Sequence, residues 1–384
     1  MIVQCFVKWC ATASSRERAG AVEMLARAFA EDRLSQTDAA NAVAILGFVL
    51  DDSSPKVRQA LAEALADSRR LPRAFALALA GDIDAIACLI AARSPVLFES
   101  DMIDLVATGT PCVQAAIAGR LVVSMKLAAA LAEVGDAGAV RVLLCNEGAT
   151  IASISHRRIA ERHGADASVR SVMFDRADVP ADVRQTLILH LGRVLAASPF
   201  VGGAIGPQRT QRVVFDACER ATALVARETP AHELPALVEH LRASGQLSTA
   251  FLIRIVCAGH VDLFAAAMVA LSGRSERRVR AIVVDGRETA FHALVRAAGL
   301  PDAAAPLLRT AVQVWKETAA RAGGESGLRD IDDVAATVMG RLVLAFRERQ
   351  DGAGFEAVSA LLNRLSVETL LGSTRESARR MAAA

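Results

Sequence analysis

The residues of this chain equipped for chemistry are its seven histidines, its seven cysteines and two clusters of arginine. His156 and His163 stand seven apart and so share a helical face. A zinc hydrolase would need two histidines four apart with a glutamate between them, and a third ligand. Position 160 is alanine and nothing is spaced to serve as that third ligand, so neither a metal nor another cofactor is expected. Arg162-His163 instead precedes Gly164, which reads as a helix C-cap where cationic side chains complement the dipole. His240, within Val238-Glu239-His240-Leu241-Arg242, is the candidate phosphoacceptor, because a helical bundle presenting one histidine can carry a phosphoryl group. The Ala243-Ser244-Gly245 that follows lacks the Lys-Gly pair of a phosphotransfer motif, so a helical histidine without a chemical role is the simpler reading.

Cys5 and Cys10 are five apart, and Cys88, Cys112, Cys145, Cys218 and Cys257 are isolated in apolar surroundings. Neither a CxxC pair nor a zinc spacing occurs, so they read as small free hydrophobes of the core in a reducing, cytoplasmic protein. Gly202-Gly203-Ala204-Ile205-Gly206 lacks the lysine of a P-loop and follows no strand pattern, and no G-x-S-x-G elbow is present. No residue is assigned a catalytic role.

The arginine clusters are the candidate interaction surface: Arg157, Arg158 and Arg162, beside His156 and Arg170, and then Arg274, Arg277, Arg278 and Arg280, with Arg287 close by. Helical arrays can grip phosphates through a basic face, which makes nucleic acid one candidate partner. Glu276, Asp285 and Glu288 interrupt the second cluster, however, and Trp9 and Trp315 are the only tryptophans available for stacking on bases. With 44 basic and 42 acidic residues, a net charge of +2, bulk electrostatics does not announce nucleic acid either. A solvated mixed-charge surface, or a dock for an acidic protein, accounts for the clusters more simply.

Helices must position all of these residues. Hydrophobic residues make up 53% of the chain but rest on alanine, aromatics are 4% and tyrosine is absent, so strand-forming runs are scarce and the fold class is all-α. Phe251 to Gly273 is apolar enough to raise a membrane span, yet Arg254, His260 and Asp262 interrupt it and Gly259 punctuates it. Two buried helices are expected there instead. Met1-Ile2-Val3-Gln4-Cys5-Phe6 lacks the basic start of a signal peptide.

The chain also repeats itself. Gly81-Asp82, with Ala85, Ile86, Leu89 and Ile90, returns 54 residues later as Gly135-Asp136, with Ala139, Val140, Leu143 and Leu144. Ser54-Pro55, with Val57, Ala60 and Leu61, returns as Thr110-Pro111, with Val113, Ala116 and Ile117 at an offset of 56. A weaker echo stands at Val183-Arg184-Gln185 and Leu187. Serine or threonine before proline is a helix start signal, so each block holds several short helices, and the structural unit is a helix pair or triplet shorter than the offset. The expected organisation is capping helices over 1–50, helical repeats over 51–196 (ten or so helices), and a connector over 197–207. A helical bundle without the same repeat is expected over 208–371, and a frayed tail over 372–384.

Leu50-Asp51-Asp52-Ser53-Ser54-Pro55-Lys56-Val57-Arg58-Gln59-Ala60-Leu61, Arg93-Ser94-Pro95-Val96-Leu97, Ala116-Ile117-Ala118-Gly119-Arg120 and Ala298-Gly299-Leu300-Pro301 occur in order. So do Phe6-Val7-Lys8-Trp9, Arg18-Ala19 and Leu25-Ala26-Arg27-Ala28. Together they resemble the bacterial family called domain of unknown function 2336, found chiefly in alphaproteobacteria. Ser53 departs from the proline more usual there. The resemblance implies HEAT-like repeats in the N-terminal half and brings no activity with it. The function expected from repeats without a catalytic constellation is a protein–protein interaction scaffold or adaptor, with homodimerisation through the C-terminal helices. The alternatives are nucleic-acid binding by the arginines, and a phosphorelay or enzyme activity in the C-terminal domain.

Overall fold

A computed structural model describes residues 2–322, together with Met339, Gly340, Arg341, Leu344, Asn363 and Val367. Among these residues the chain is all-α, and the only β feature is an isolated bridge between Val123 and Ala149. Beyond residue 322, most of the bundle expected to reach residue 371 lies outside the described residues, as does all of the tail expected over 372–384.

The chain forms two compact units, residues 1–190 and 191–384. The first opens with α1 (Ile2–Cys10), α2 (Ser15–Ala30) and α3 (Gln36–Val49). Five helix pairs follow. They begin with α4 (Pro55–Leu65) and α5 (Arg73–Ala80), then α6 (Asp84–Arg93) and α7 (Glu99–Thr108), then α8 (Pro111–Ala118) and α9 (Met125–Val134). The last two pair α10 (Ala137–Cys145) with α11 (Ser153–His163), and α12 (Ala167–Asp175) with α13 (Ala181–Ala197). The leading helices α2, α4, α6, α8, α10 and α12 pack each on the next, and α7, α9 and α11 form a second row in the same way.

The buried stripe of the leading helices explains this stacking. Val57, Ile86, Val113, Val140 and Val169 are buried, and so is the residue four on from each: Leu61, Ile90, Ile117, Leu144 and Met173. The intervals are 27 or 29 residues, so the 54- and 56-residue offsets of the sequence span two helix pairs. Residues i and i+4 lie one above the other on a helix, and such a narrow stripe is covered only by a neighbouring pair.

The second unit takes up the end of α13 and continues with α14 (Pro199–Ile205) and α15 (Pro207–Glu228). The stretch expected as a bare connector therefore holds a short helix, which Pro199 starts and Gly206 ends at φ +82°. Next come α16 (Leu234–Ala243), α17 (Thr249–Cys257), α18 (Val261–Ser272) and α19 (Glu276–Asp285). They are followed by α20 (Glu288–Ala297), a 3₁₀ turn (Asp302–Ala304) and α21 (Ala305–Ala322). The apolar run expected to be two helices is α17 and α18.

The described helices of this half carry a regular spacing of buried positions. Leu237, Phe264 and Phe291 are buried at 27-residue intervals on α16, α18 and α20, as are Leu241, Met268 and Val295. Each of these helices ends at a glycine with positive φ: Gly245 at 69°, Gly273 at 63° and Gly299 at 73°. A side chain is strained in that conformation, so a glycine there stops each helix, directly after α18 and one residue further on after α16 and α20. The period was hidden because the starts Glu233-Leu234, His260-Val261 and Arg287-Glu288 share no start signal.

Candidate interaction surface

Each helix end leaves backbone carbonyls without intrahelical partners. In the first unit a residue just past the end of the next leading helix supplies the donors. Arg120 donates to the Ala91 and Ser94 carbonyls at 2.7 and 2.9 Å. Asn146 donates to the Ala118 and Arg120 carbonyls at 2.8 and 2.7 Å, and Arg176 to Leu144 and Asn146 at 2.7 and 3.3 Å. Helix starts are tied by carboxylates in the same manner. Arg18 of α2 grips Asp52 ahead of α4, and Arg58 of α4 grips Asp82 ahead of α6, both through two hydrogen bonds of 2.6–2.9 Å. The Arg58 guanidinium holds the Asp82 carboxyl below the usual range, although burial opposes it. Ser54 stands at the N-cap of α4 as expected, yet its hydroxyl makes no capping bond; Asp52 accepts from its N–H instead.

The first arginine cluster belongs to this framework. Arg157 bonds Asp182 at 2.6 Å, and Arg158 bonds Glu133 at 2.9 Å and Glu161 at 3.4 Å. Arg162 donates to the Ala132 carbonyl at 2.8 Å, and Arg170 to the Gly164 and Ala165 carbonyls. His163 joins Arg162 at the end of the preceding pair: its Nε2 lies 3.2 Å from the Gly135 carbonyl, which can only accept, so Nε2 carries the proton. His156 is fully buried with neither ring nitrogen hydrogen-bonded, and Asp178 is 3.6 Å from Nε2. Burial pulls its pKa down and the nearby carboxylate opposes the shift. The second cluster differs. Arg280 pairs with Glu276 and Asp262, both at 2.9 Å, whereas the exposed Arg274, Arg277 and Arg278 have no guanidinium partner among the described residues.

His240 is half-buried on α16. No group of three or more His, Cys, Asp or Glu that could hold a metal ion occurs among the described residues. A groove of about 710 Å³ along α15 is lined by Gln208, Arg212, Phe215, Asp216 and Glu219 among others, and one of about 400 Å³ includes Asp285, Arg309 and Lys316. Neither lining includes a serine, cysteine or histidine.

The cysteines depart from expectation. Cys88 of α6 and Cys112 of α8 are paired as a disulfide, with Cα atoms 6.3 Å apart. Their separation of 24 residues places them on adjacent leading helices, a proximity visible only once the pair period is known. Cys5 and Cys145 are exposed, Cys10 and Cys218 half-buried. Only Cys257 is a buried free thiol, pushed up to about 12 by that burial.

What sequence reading missed is an apolar rim on the first unit. Phe98, Leu121, Val122, Met125 and Ile154 are exposed, Leu121 at 89% and Val122 at 72%. All stand at the turn from a leading helix to its partner, or in the first turn of that partner, in three consecutive pairs. The turns are fastened to one another. Val123 N–H donates to the Gly148 carbonyl at 3.2 Å, and Thr150 N–H to the Val123 carbonyl at 3.0 Å. A Cβ at Gly148 would run into the Leu121 carbonyl oxygen, so only glycine permits this approach. The Ser124 hydroxyl donates to Glu99, and the Arg73 guanidinium lies 4.6 Å from the centre of the Phe98 ring. The available signal was Leu121-Val122 directly after the helix-ending Gly119-Arg120, apolar residues where a turn is normally polar.

Residues 86–346, more than half of the chain, match the family described as an uncharacterised protein conserved in bacteria (DUF2336). The chain belongs to this DUF2336 family. The DUF2336 match opens within α6 and takes in the whole apolar rim and the free arginines of α19. Of the motifs that carried the resemblance, those at Arg93–Leu97, Ala116–Arg120 and Ala298–Pro301 lie inside it, and the run at Leu50–Leu61 precedes it. No curated protein and no solved structure matches the chain.

Proposed function

We propose that this DUF2336 protein is a non-catalytic interaction scaffold, a HEAT-like array whose apolar rim receives another protein. The observation that carries the proposal is the exposure of Leu121 and Val122 on turns held by backbone bonds, a glycine contact and the Asn146 staple. Exposed apolar groups clustered on rigid turns present area to a partner with little ordering cost on binding. A photo-crosslinking side chain placed at Val122 in the native host tests it, with Arg141 on the outer face of α10 as control. The expected result is a discrete protein adduct from Val122, absent from Arg141 and lost when Met125→Asp is added. Identical adducts from both positions, or none from Val122, would overturn the reading. A second reading rests on the unpartnered guanidiniums of Arg274, Arg277 and Arg278: phosphate contact, with retention on DNA that weakens steeply with salt as its signature.

A further inference from the structure

Among the described residues of the second unit, an exposed apolar segment lies where α13 ends. Val194 and Leu195 are exposed on the last turns of α13, Phe200 is 85% exposed on α14, and Val213 and Phe215 are exposed on α15. α14, with the sequence Pro-Phe-Val-Gly-Gly-Ala-Ile, has no buried residue and no polar side chain. It is nonetheless fixed in place. The Thr210 hydroxyl of α15 bonds the Val201 carbonyl at 3.5 Å and the Gly206 carbonyl at 2.8 Å, and Gly192 of α13 backs onto the Cys218 sulfur of α15.

The charge of this segment has one sign. Between Asp182 and Asp216 no acidic residue occurs, while Arg193, Arg209 and Arg212 are exposed with no ion pair or hydrogen bond from their guanidiniums among the described residues. No single described helix is long and apolar enough to cross a membrane; α13 and α14 pass only as a pair bent by 65° at Ser198. Apolar side chains flanked by arginine, on a helix too short to span, is the pattern of an element that lies in the plane of a lipid interface.

We propose that α14, with the adjoining ends of α13 and α15, docks on an anionic bilayer surface. Phe200 and its apolar neighbours enter the boundary between headgroups and acyl chains, and Arg193, Arg209 and Arg212 meet the lipid phosphates. Two features favour lipid over other occupants. α14 offers no polar side chain to specify a protein partner, whereas burial among acyl chains is non-directional and needs none. A second copy of the chain on the same face would bring an arginine-rich rim against itself, and like charges in apposition oppose that contact.

Cosedimentation of the full chain tests this, with vesicles of phosphatidylcholine mixed with phosphatidylglycerol and with vesicles of phosphatidylcholine alone. The expected result is binding to the mixed vesicles that weakens with salt. Phe200→Asp should reduce the bound fraction about tenfold, since it removes one large apolar side chain from the interface. Reversing Arg193, Arg209 and Arg212 to Glu should abolish the preference for the anionic vesicles, whereas reversing Arg274, Arg277 and Arg278 should leave it. Phe200→Trp provides a reading independent of sedimentation, a blue shift of the added fluorescence on mixed vesicles. Because α14 buries nothing, these variants leave the core intact, which helical circular dichroism checks. Absence of binding by the unmodified chain overturns the proposal, as does equal binding by Phe200→Asp. A dimer that Phe200→Asp dissociates in the absence of lipid also overturns it and assigns the face to a second copy.

Discussion

Asn146 carries more of the first unit's continuity than an exposed ion pair does. Its amide donates to the Ala118 and Arg120 carbonyls and its oxygen accepts from Gly148 N–H at 2.8 Å, so one side chain closes a helix end and shapes the turn behind the rim. An exposed ion pair contributes about 0–1 kcal/mol, because solvent screens it and ordering two long side chains opposes it. Arg158 with Glu133 and Glu161 is such a case, exposed on both sides. Two hydrogen bonds to partly buried carbonyls and a third from the exposed Gly148 N–H, at about 0.5–1.5 kcal/mol each, contribute more together. Asn146→Ala should therefore destabilise by about 2–4 kcal/mol in urea unfolding, against under about 1 kcal/mol for Arg158→Ala. Asn146→Asp is the sharper test: it keeps the oxygen facing Gly148 and turns the donor into a carboxylate oxygen against two carbonyls, so it should cost at least as much as alanine. If Asn146→Asp left the midpoint unchanged, the amide would not be the staple described.

Helix ends were legible in the sequence where a residue type enforces them, and illegible where only packing does. Pro55 and Pro111 start α4 and α8, as the serine- or threonine-proline pairs lead one to expect. The unit reads from the sequence only as a helix pair or triplet shorter than the offset, because one helix pair resembles the next only in class, Val57 against Ile86, while letters recur over two pairs. The rim was missed because exposure is a tertiary property; Leu121 and Val123 look alike in sequence, yet one projects and the other is buried. The same holds for His260, which looked like a polar break in an apolar run. It sits at the N-cap of α18, where burial first and Arg227 second push its pKa down to about 4. A positive charge there would also oppose the helix dipole. The unfolded chain takes up this proton near pH 6.5 and the folded chain only near 4, so unfolding is favoured as pH falls through that interval. Stability should fall between about pH 6.5 and 5, by at most about 1.4 kcal/mol per pH unit from this group. His260→Gln should reduce that slope, read as the urea midpoint at pH 7 and pH 5. Above pH 5 the carboxylates whose pKa values are lowered, such as Asp82, are ionised in both states and do not contribute. An unchanged slope would show that His260 titrates normally.

At the scale of the whole molecule the decisive property is that the buried stripe of each described leading helix is shared with its neighbours in the row. Ile117 is fully buried on α8, which packs on α6 and α10, and the same stripe is filled by Ile90 before it and Leu144 after it. Energetics of this kind add intrinsic terms for each pair to terms for each interface, so damage spreads to neighbours and fades with distance along the row. Ile117→Ala should cost about 2–5 kcal/mol, the range for removing a large aliphatic group from a packed interior. Amide exchange then tells a stack from a globule. Protection should fall most in α6, α8 and α10, less in α4 and α12, and least in α2, which touches none of the damaged interfaces. The second unit offers the same measurement through Phe264→Ala on α18, with the loss centred on α16, α18 and α20. A uniform fall from α2 to α12 would mean that residues 1–190 unfold as one cooperative block. The rim would then be only as rigid as the whole unit; a graded fall would show instead that the turns bearing Leu121 and Val122 draw their rigidity from the two pairs on either side, which is where a partner would be felt.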